Sequence, residues 1–388
     1  MSISLKKLCS DTETKYSLKL LAGKGGLDNA VRWVHMVEDR QVPDFLHGGE
    51  LVFTTGIGHV GKDPLLEFVK RLKAHGASGV VVNIGPYLTQ IPDEVLSYCD
   101  AHGFPIFTLP WNIYIIDITY DFCRRIIENE KIETTAAQCF KDMVLNPSES
   151  EKAYSFLEQH GFGFARRYRV VSLEFFINGE NVTEKFEQRN HIKLWNILAK
   201  SKSGPSAMFV LGDSLVIIRQ DLDDISAKNL ADTLDAICEN KTVSSVMGIS
   251  SEMQSYRNVP KLLKEAEASR KFAYVNGKSN AFYKNIGISK IIYGVNDKEV
   301  LKNFADENLK EIFEYDKKYK TDYAKVLKAY LVCDGSVMAV AEKYGLHRNT
   351  VNSKIKAVKD VFGIKLTAEK KAELLLSYQI NDNFEKLS

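Results

Sequence analysis

Residues 336–363 carry the sequence SVMAVAEKYGLHRNTVNSKIKAVKDVFG, which has the pattern of two short helices joined by a tight turn. Ser336 follows an Asp-Gly turn and is the expected N-cap of the first helix. Ala341 is small enough for a second helix to cross there, and Gly345 supplies the left-handed residue that ends the first helix. The stretch therefore predicts a helix-turn-helix between Ser336 and Gly363.

The second helix of this motif is expected from about Arg348 to Phe362, with Gly363 ending it. Apolar side chains recur at helical spacing along it, and they predict one buried stripe. The stripe consists of Val351, Ile355, Val358 and Phe362.

Polar side chains lie opposite that stripe, and they suit contact with a DNA duplex. Asn349, Ser353 and Lys356, with Thr350 and Asn352 beside them, have the size to reach base edges in a major groove. Arg348, Lys354 and Lys359 flank this face, where phosphates would lie. The predicted DNA-binding residues are His347, Arg348, Asn349, Thr350, Asn352, Ser353, Lys354, Lys356 and Lys359. The alternative is an ordinary helical hairpin whose polar side faces water.

The charge distribution favours the DNA-binding interpretation. The net charge of the 388 residues is only +2, but residues 317–371 contain 13 Lys or Arg and 5 Asp or Glu. A mildly acidic body with a basic end is typical of a protein with a terminal nucleic-acid-binding module. We therefore expect double-stranded DNA as a partner.

Composition excludes several other classes of protein. Apolar residues make up 45% of the chain and charged residues 26%, as in globular proteins. The first residues lack the basic-then-apolar order of a signal peptide, and no apolar run approaches the ~20 residues that span a bilayer. The six cysteines are scattered without a CxxC pair, and the eight histidines show no metal-ligand spacing. We expect a cytoplasmic protein with no membrane contact, no metal and no cofactor.

The first 130 residues alternate strand and helix patterns, which predicts an α/β unit. Strands are expected from Glu50 to Gly56, over Val80–Ile84 and over Pro105–Leu109. Helices are expected at Leu65–His75 and from Pro92 to Ala101. Continuous apolar strands separated by helices are typical of a buried parallel sheet.

Beyond this unit, residues 113–145 contain no Gly or Pro and predict a long connecting helix that also serves as a dimer contact. A mixed α/β segment is expected over 150–295. It includes a strand at Tyr168–Ile177, a hairpin turning at Gly212-Asp213 and a helix at Val259–Tyr274. From Asp297 onward helix formers dominate, so a helical domain is expected over about 300–380.

The chain resembles the PucR family of bacterial transcription regulators in three blocks that span most of its length. His347, Arg348, Asn349 and Thr350 match the start of that family's recognition-helix signature, and Tyr315-Asp316 matches a motif upstream of it. The segments around Gly26-Leu27, Val31–Val34 and Gly48–Gly56 resemble the family's N-terminal sensory domain. Family members continue the signature with arginines and a tyrosine, where this chain has Asn352, Ser353 and Lys354. The family's operator preference therefore does not transfer.

The middle segment is similar to a degenerate GGDEF domain. The hairpin at Leu211-Gly-Asp-Ser-Leu stands in place of the signature, and Leu211 and Ser214 replace the glycine and carboxylate that a working cyclase needs. The resemblance implies a structural or dimerising role here. It also implies a multidomain α/β plus all-α fold, with a sensory domain at 1–130, a GGDEF-like domain at 150–295 and a helical domain at 300–380.

The resemblance implies a small-molecule effector, such as a nitrogen-rich catabolite from purine breakdown, and a homodimer or larger assembly that controls catabolic genes. Side chains near the strand ends of the first domain are candidates to bind the effector, since ligands settle there in α/β sheets. The candidates are Arg32, Trp33, His35, Glu38, Glu50, Thr54, Thr55 and Gly56.

Two alternatives stay open. Gly56–Asp63 is one residue short of a phosphate-binding Walker loop and has Asp63 where Ser or Thr would coordinate magnesium. That loop or the GGDEF-like segment would serve a nucleotide-converting enzyme, although we expect no catalytic residues. A scaffold without DNA affinity is the other alternative, and it predicts no salt-sensitive DNA binding.

Overall fold

The computed structural model describes residues 3–39, 42–57, 64–146, 151–200, 204–236, 238, 242–295 and 297–387. The chain divides into two compact units, residues 1–270 and 271–388. Each unit has hydrophobic cores of its own.

The first unit begins with an α/β region. Its elements are β1 (Ile3–Ser4), α1 (Leu5–Leu8), α2 (Thr12–Tyr16), β2 (Lys19–Ala22), β3 (Ala30–Val31), β4 (Trp33–Met36), β5 (Glu50–Thr54), α3 (Pro64–Ala74), β6 (Gly79–Ile84), α4 (Asp93–His102) and β7 (Ile106–Pro110). The main sheet has the order β2-β7-β6-β5-β4, in which β4 to β7 are parallel and β2 is antiparallel to β7. The strands and helices predicted between Glu50 and Leu109 are confirmed.

Alternation along the buried strands places side chains on two faces of this sheet. Val52, Val80 and Val82 share one hydrophobic core with the apolar faces of α3 and α4. Leu51, Phe53 and Val81 point to the other face and belong to a second core. Since both faces are covered, β5 and β6 are buried at nearly every position, as expected for a parallel sheet between two layers.

A single long helix, α5 (Ile115–Leu145), follows the sheet and confirms the long helix predicted over residues 113–145. Its first half buries Ile118, Phe122 and Ile126 in the core shared with the N-terminal sheet. Its second half buries Phe140 and Met143 in the core of the segment that follows. The helix is therefore a structural element of both halves of the first unit.

The remainder of the first unit is an antiparallel sheet with helices. Its elements are α6 (Glu151–Gln159), β8 (Arg167–Ile177), β9 (Glu180–Asn181), α7 (Thr183–Lys200), β10 (Ser206–Leu211), β11 (Ser214–Gln220), α8 (Asp224–Ala236), β12 (Ser244–Ile249), β13 (Met253–Gln254) and α9 (Val259–Val275). The strand order β10-β11-β8-β12 combines with α7 and α8 into a split β-α-β-β-α-β arrangement. The predicted hairpin is confirmed, because Leu211 pairs with Ser214 across a two-residue turn.

The second unit contains β14 (Asn280–Phe282), α10 (Ser289–Gly294), α11 (Lys298–Tyr319), α12 (Tyr323–Val332), α13 (Val337–Tyr344), α14 (Arg348–Phe362) and α15 (Ala368–Leu387). Helices α11 to α15 contribute to one apolar core, which confirms the helical region predicted from Asp297 onward. The buried phenol of Tyr378 donates a hydrogen bond to the Ala324 carbonyl at 2.8 Å and ties α15 to α12.

Candidate functional site

Helices α13 and α14 form the predicted helix-turn-helix. The Ser336 hydroxyl accepts a hydrogen bond from the Ala339 amide at 3.2 Å and caps α13. Gly345, with φ of 63°, ends α13 in the left-handed conformation that glycine adopts without strain. Local sequence therefore fixes both ends of the first helix.

Helix α14 is also bounded by capping residues. His347 is its N-cap, and its Nδ1 accepts a hydrogen bond from the Asn349 amide at 3.3 Å. Gly363, with φ of 63°, ends the helix at the predicted position. The stripe side chains of Val351, Ile355 and Val358 are buried, while Phe362 packs partly buried against the same core.

Asp316 fixes the helix that precedes the motif. Its carboxylate accepts hydrogen bonds from the amides of Tyr323 at 2.9 Å and Ala324 at 2.8 Å. Those amides belong to the first turn of α12, where a carboxylate is favoured by the helix dipole and satisfies open N–H groups. Asp316 thus fixes the start of α12. Helix α12 in turn shares one apolar core with α14.

The outer face of α14 is open to solvent. Of the nine residues predicted to contact DNA, eight are exposed: His347, Arg348, Asn349, Thr350, Asn352, Ser353, Lys356 and Lys359. Lys354 is half-buried, and its ammonium pairs with the carboxylate of Asp322. Arg348, Lys356 and Lys359 are consequently the exposed cations of this set, and their charge suits contact with phosphates.

Four of the eight effector candidates lie together in the first unit. Arg32, Trp33, His35 and Glu50 line a cleft of about 860 Å³ at the β4 edge of the parallel sheet. The other described residues that line it are Phe45, His47, Gly48, Glu130, Glu187, Gln188 and His191. A cleft of this size accommodates a small organic molecule.

The other four candidates form a separate hydrogen-bonded group at the end of β5. The Glu38 carboxylate accepts hydrogen bonds from the Thr54 hydroxyl at 3.0 Å and the Thr55 amide at 2.7 Å. The Gly56 amide donates to the Thr54 hydroxyl oxygen at 3.2 Å. These polar groups hold the end of the strand, and they are not among the residues that line the cleft. Residues 58–63 of the glycine-rich loop lie outside the described residues.

Sequence reasoning missed the cleft residues that α5 and α7 supply. Glu130 lies on α5, whereas Glu187, Gln188 and His191 lie on α7, more than 130 positions beyond the strands they face. No motif marks them. The only signal in the sequence is that α7 is amphipathic, with polar residues available to face a neighbouring element.

The described part of the chain contains no helix with an apolar stretch sufficient to span a bilayer. Its His, Cys, Asp and Glu side chains include no group of three or more positioned to hold a metal ion.

Comparison with known proteins gives matches at both ends of the chain. Residues 7–126 match the purine catabolism regulatory protein-like family, and residues 323–380 match the PucR C-terminal helix-turn-helix domain. The purine catabolism regulatory protein of Bacillus subtilis (strain 168) is 32% identical over 120 residues, which make up 30% of this chain and 22% of that protein. The crystal structure of a regulator of polyketide synthase expression from Bifidobacterium adolescentis covers 64% of this chain and 97% of its own, at 10% identity and a TM-score of 0.34.

Proposed function

We propose that this chain, which carries both the N-terminal and the C-terminal domain of the PucR family, is a ligand-responsive transcription regulator that binds double-stranded DNA through α14. The observation that carries the proposal is the exposed polar and basic face of α14, on a helix capped at both ends. Because DNA is the partner, we place the protein in the cytoplasm. We assign it no enzymatic role and no cofactor.

Selection of genomic fragments on the purified protein, followed by a salt titration of the bound sequences, tests this function. Each phosphate contact releases counterions, so log affinity falls by about 0.9 per contact for each decade of salt. Three phosphate-contacting cations per protomer in a dimer give an expected slope of about −5. Failure to enrich any fragment, together with an affinity that salt leaves unchanged, would overturn the proposal and favour the scaffold alternative.

We favour catabolic genes as the genes that the protein regulates. A stretch of 120 residues of this chain is similar to a purine catabolism regulatory protein, and this supports an effector drawn from purine or other nitrogen-compound breakdown. The effector would act by favouring one arrangement of the protein over another, since coupling requires different affinities for the two arrangements. Adding candidate metabolites to the fragment selection would identify both effector and operator.

The division into three domains is part of this proposal, with bounds of 1–130, 150–295 and 300–380. The split β-α-β-β-α-β order of residues 167–249 supports a GGDEF-like middle domain. Leu211 and Ser214 flank the turn where a cyclase carries a glycine and a carboxylate. We therefore assign the middle domain a structural role. Incubation with GTP or ATP and magnesium distinguishes this role from the enzyme alternative, which requires turnover.

A homodimer is expected because paired helix-turn-helix units bind half-sites about one DNA turn, or a multiple, apart. Helix α5 offers a contact surface. Ile116, Tyr120 and Ile127 project from one side of it and are 72%, 72% and 44% exposed. Large apolar side chains at this spacing on one helix face are typical of helix pairing.

Replacing Ile116 and Tyr120 by glutamate is expected to weaken the dimer by at least about tenfold, since apolar area would be replaced by two charges facing their copies. Light scattering during size-exclusion chromatography over a dilution series measures the dissociation. The Glu128→Lys variant is the matched control, because Glu128 is exposed on a different side of α5. An unchanged dimer in the double variant would rule out this face of α5 as the interface.

A further inference from the structure

The cleft at the β4 edge joins two parts of the first unit. Arg32, Trp33 and Glu50 come from the N-terminal sheet region, whereas Glu187 and His191 come from α7. A molecule bound here would contact both parts at once. Its chemistry is constrained by the groups that face it.

Glu50 is the most informative of these groups. The residue is 6% exposed and lines the cleft. Its Oε1 accepts a hydrogen bond from the His47 amide at 2.8 Å, while its Oε2 is buried and has no hydrogen-bond partner among the described residues. An unsatisfied buried carboxylate oxygen is costly, and it is satisfied by a hydrogen-bond donor, either N–H or O–H.

His191 presents a second unsatisfied atom. Its Nδ1 is hydrogen-bonded to the carboxylate of Glu187. Because a carboxylate only accepts, Nδ1 carries the proton, and in the neutral ring Nε2 is then an acceptor. That Nε2 is buried without a partner in the described part of the chain, so it too calls for a donor.

Charge and aromatic surface narrow the ligand class further. Among the described residues that line the cleft, Glu50, Glu130 and Glu187 bring three carboxylates, against one guanidinium, that of Arg32. Trp33 and Phe45 are 56% and 77% exposed and offer apolar walls. Carboxylates beside exposed aromatic rings favour an organic cation, which gains both ion pairing and cation–π attraction.

We propose that this cleft binds a small organic cation that carries N–H donors on a flat or apolar body, such as an amidinium or guanidinium compound. Glu50 anchors the donors, and Trp33 and Phe45 cover the body. The inference rests on the proposed effector-responsive function and names the class and location of the effector. Binding would link the N-terminal sheet to α7 and so stabilise one arrangement of the two parts.

Three probes of equal size but different charge test the proposal: benzamidine (cationic), benzamide (neutral) and benzoate (anionic). Isothermal titration calorimetry of the full chain without DNA should show benzamidine binding at least about tenfold more tightly than benzamide, since a charge-assisted hydrogen bond contributes about 1.5–3 kcal/mol. Benzoate should not bind. Affinity for benzoate equal to that for benzamidine, or no benzamidine binding, would overturn the proposal.

Variants locate the binding. Glu50→Gln should remove the preference for benzamidine over benzamide, whereas the matched control Glu94→Gln, at an exposed position of α4, should keep it. Should Glu50→Gln fail to fold, Trp33→Ala changes an exposed side chain and should weaken benzamidine binding about tenfold. If the variant that folds binds benzamidine with unchanged affinity, the assignment of the binding site to this cleft is wrong. The DNA affinity of the unmodified chain is measured in a separate experiment. A failure of benzamidine to bind would therefore contradict the cleft proposal without contradicting the DNA-binding proposal.

Discussion

Reversing the charges of Arg348 and Lys359 by substitution with glutamate is expected to lower affinity for every DNA sequence at least about 100-fold. Both side chains are exposed on α14 and flank its polar face. A hydrogen bond to a charged group contributes about 1.5–3 kcal/mol, and the introduced carboxylates also repel phosphates. Fluorescence anisotropy on selected and unrelated duplexes measures the loss. The dependence of log affinity on log salt should also become shallower by about 2 per protomer.

The matched control reverses two lysines of the same unit outside the helix-turn-helix, Lys302 and Lys310 on α11. It changes net charge by the same amount and should weaken binding much less, because net charge acts at long range and is screened by salt. Equal losses in the two double variants would mean that affinity follows overall charge. The specific role of α14 would then be wrong.

Val351→Asp is expected to abolish DNA binding by unfolding the helix-turn-helix. Val351 is fully buried on α14, in the core that α14 shares with α11, α12, α13 and α15. A carboxylate at this position has no partner, and the van der Waals contacts that the valine side chain makes are lost. We therefore expect the free energy of unfolding to fall by about 4 kcal/mol or more. Chemical denaturation followed by circular dichroism measures it.

Asn352→Asp is the control for this substitution. It introduces the same carboxylate one residue away, on the exposed side of α14. Stability should change by no more than about 0.5 kcal/mol, as is usual at surface positions. If Val351→Asp were as stable as Asn352→Asp, the described core of the second unit would be wrong.

The helix-turn-helix was predictable to the residue because its signals are local. Ser336, Gly345 and Gly363 act on the chain within a few positions, and the structure places them at the helix ends that they predict. The buried stripe of α14 follows from a spacing of three or four residues. Apolar runs separated by helical patterns predicted the parallel sheet in the same way.

Features that depend on distant parts of the chain were not predictable. Lys354 has the helical position of a phosphate contact, but its pairing with Asp322, 32 residues earlier, is invisible to spacing. Glu38 and Glu50 are equally good candidates in the sequence. Only the fold shows that Glu38 is bonded to Thr54 and Thr55 while Glu50 lines the cleft.

The cleft itself shows why such sites escape sequence analysis. The sequence pattern did not predict helix α7, and its polar residues have no spacing that marks a ligand site. They become candidates for ligand binding only because the fold places them opposite β4. The elements that form this site are distant from one another in sequence, so no short stretch of the sequence contains all of its residues.

Photocrosslinking from position 353 tests the central claim most directly. Benzoylphenylalanine would replace Ser353 in the middle of the exposed face of α14, and in a second variant Lys310 on α11. With a selected duplex, we predict a covalent DNA adduct from position 353 and none from position 310. Adduct from position 310 alone, while both variants bind DNA, would contradict contact between α14 and the duplex.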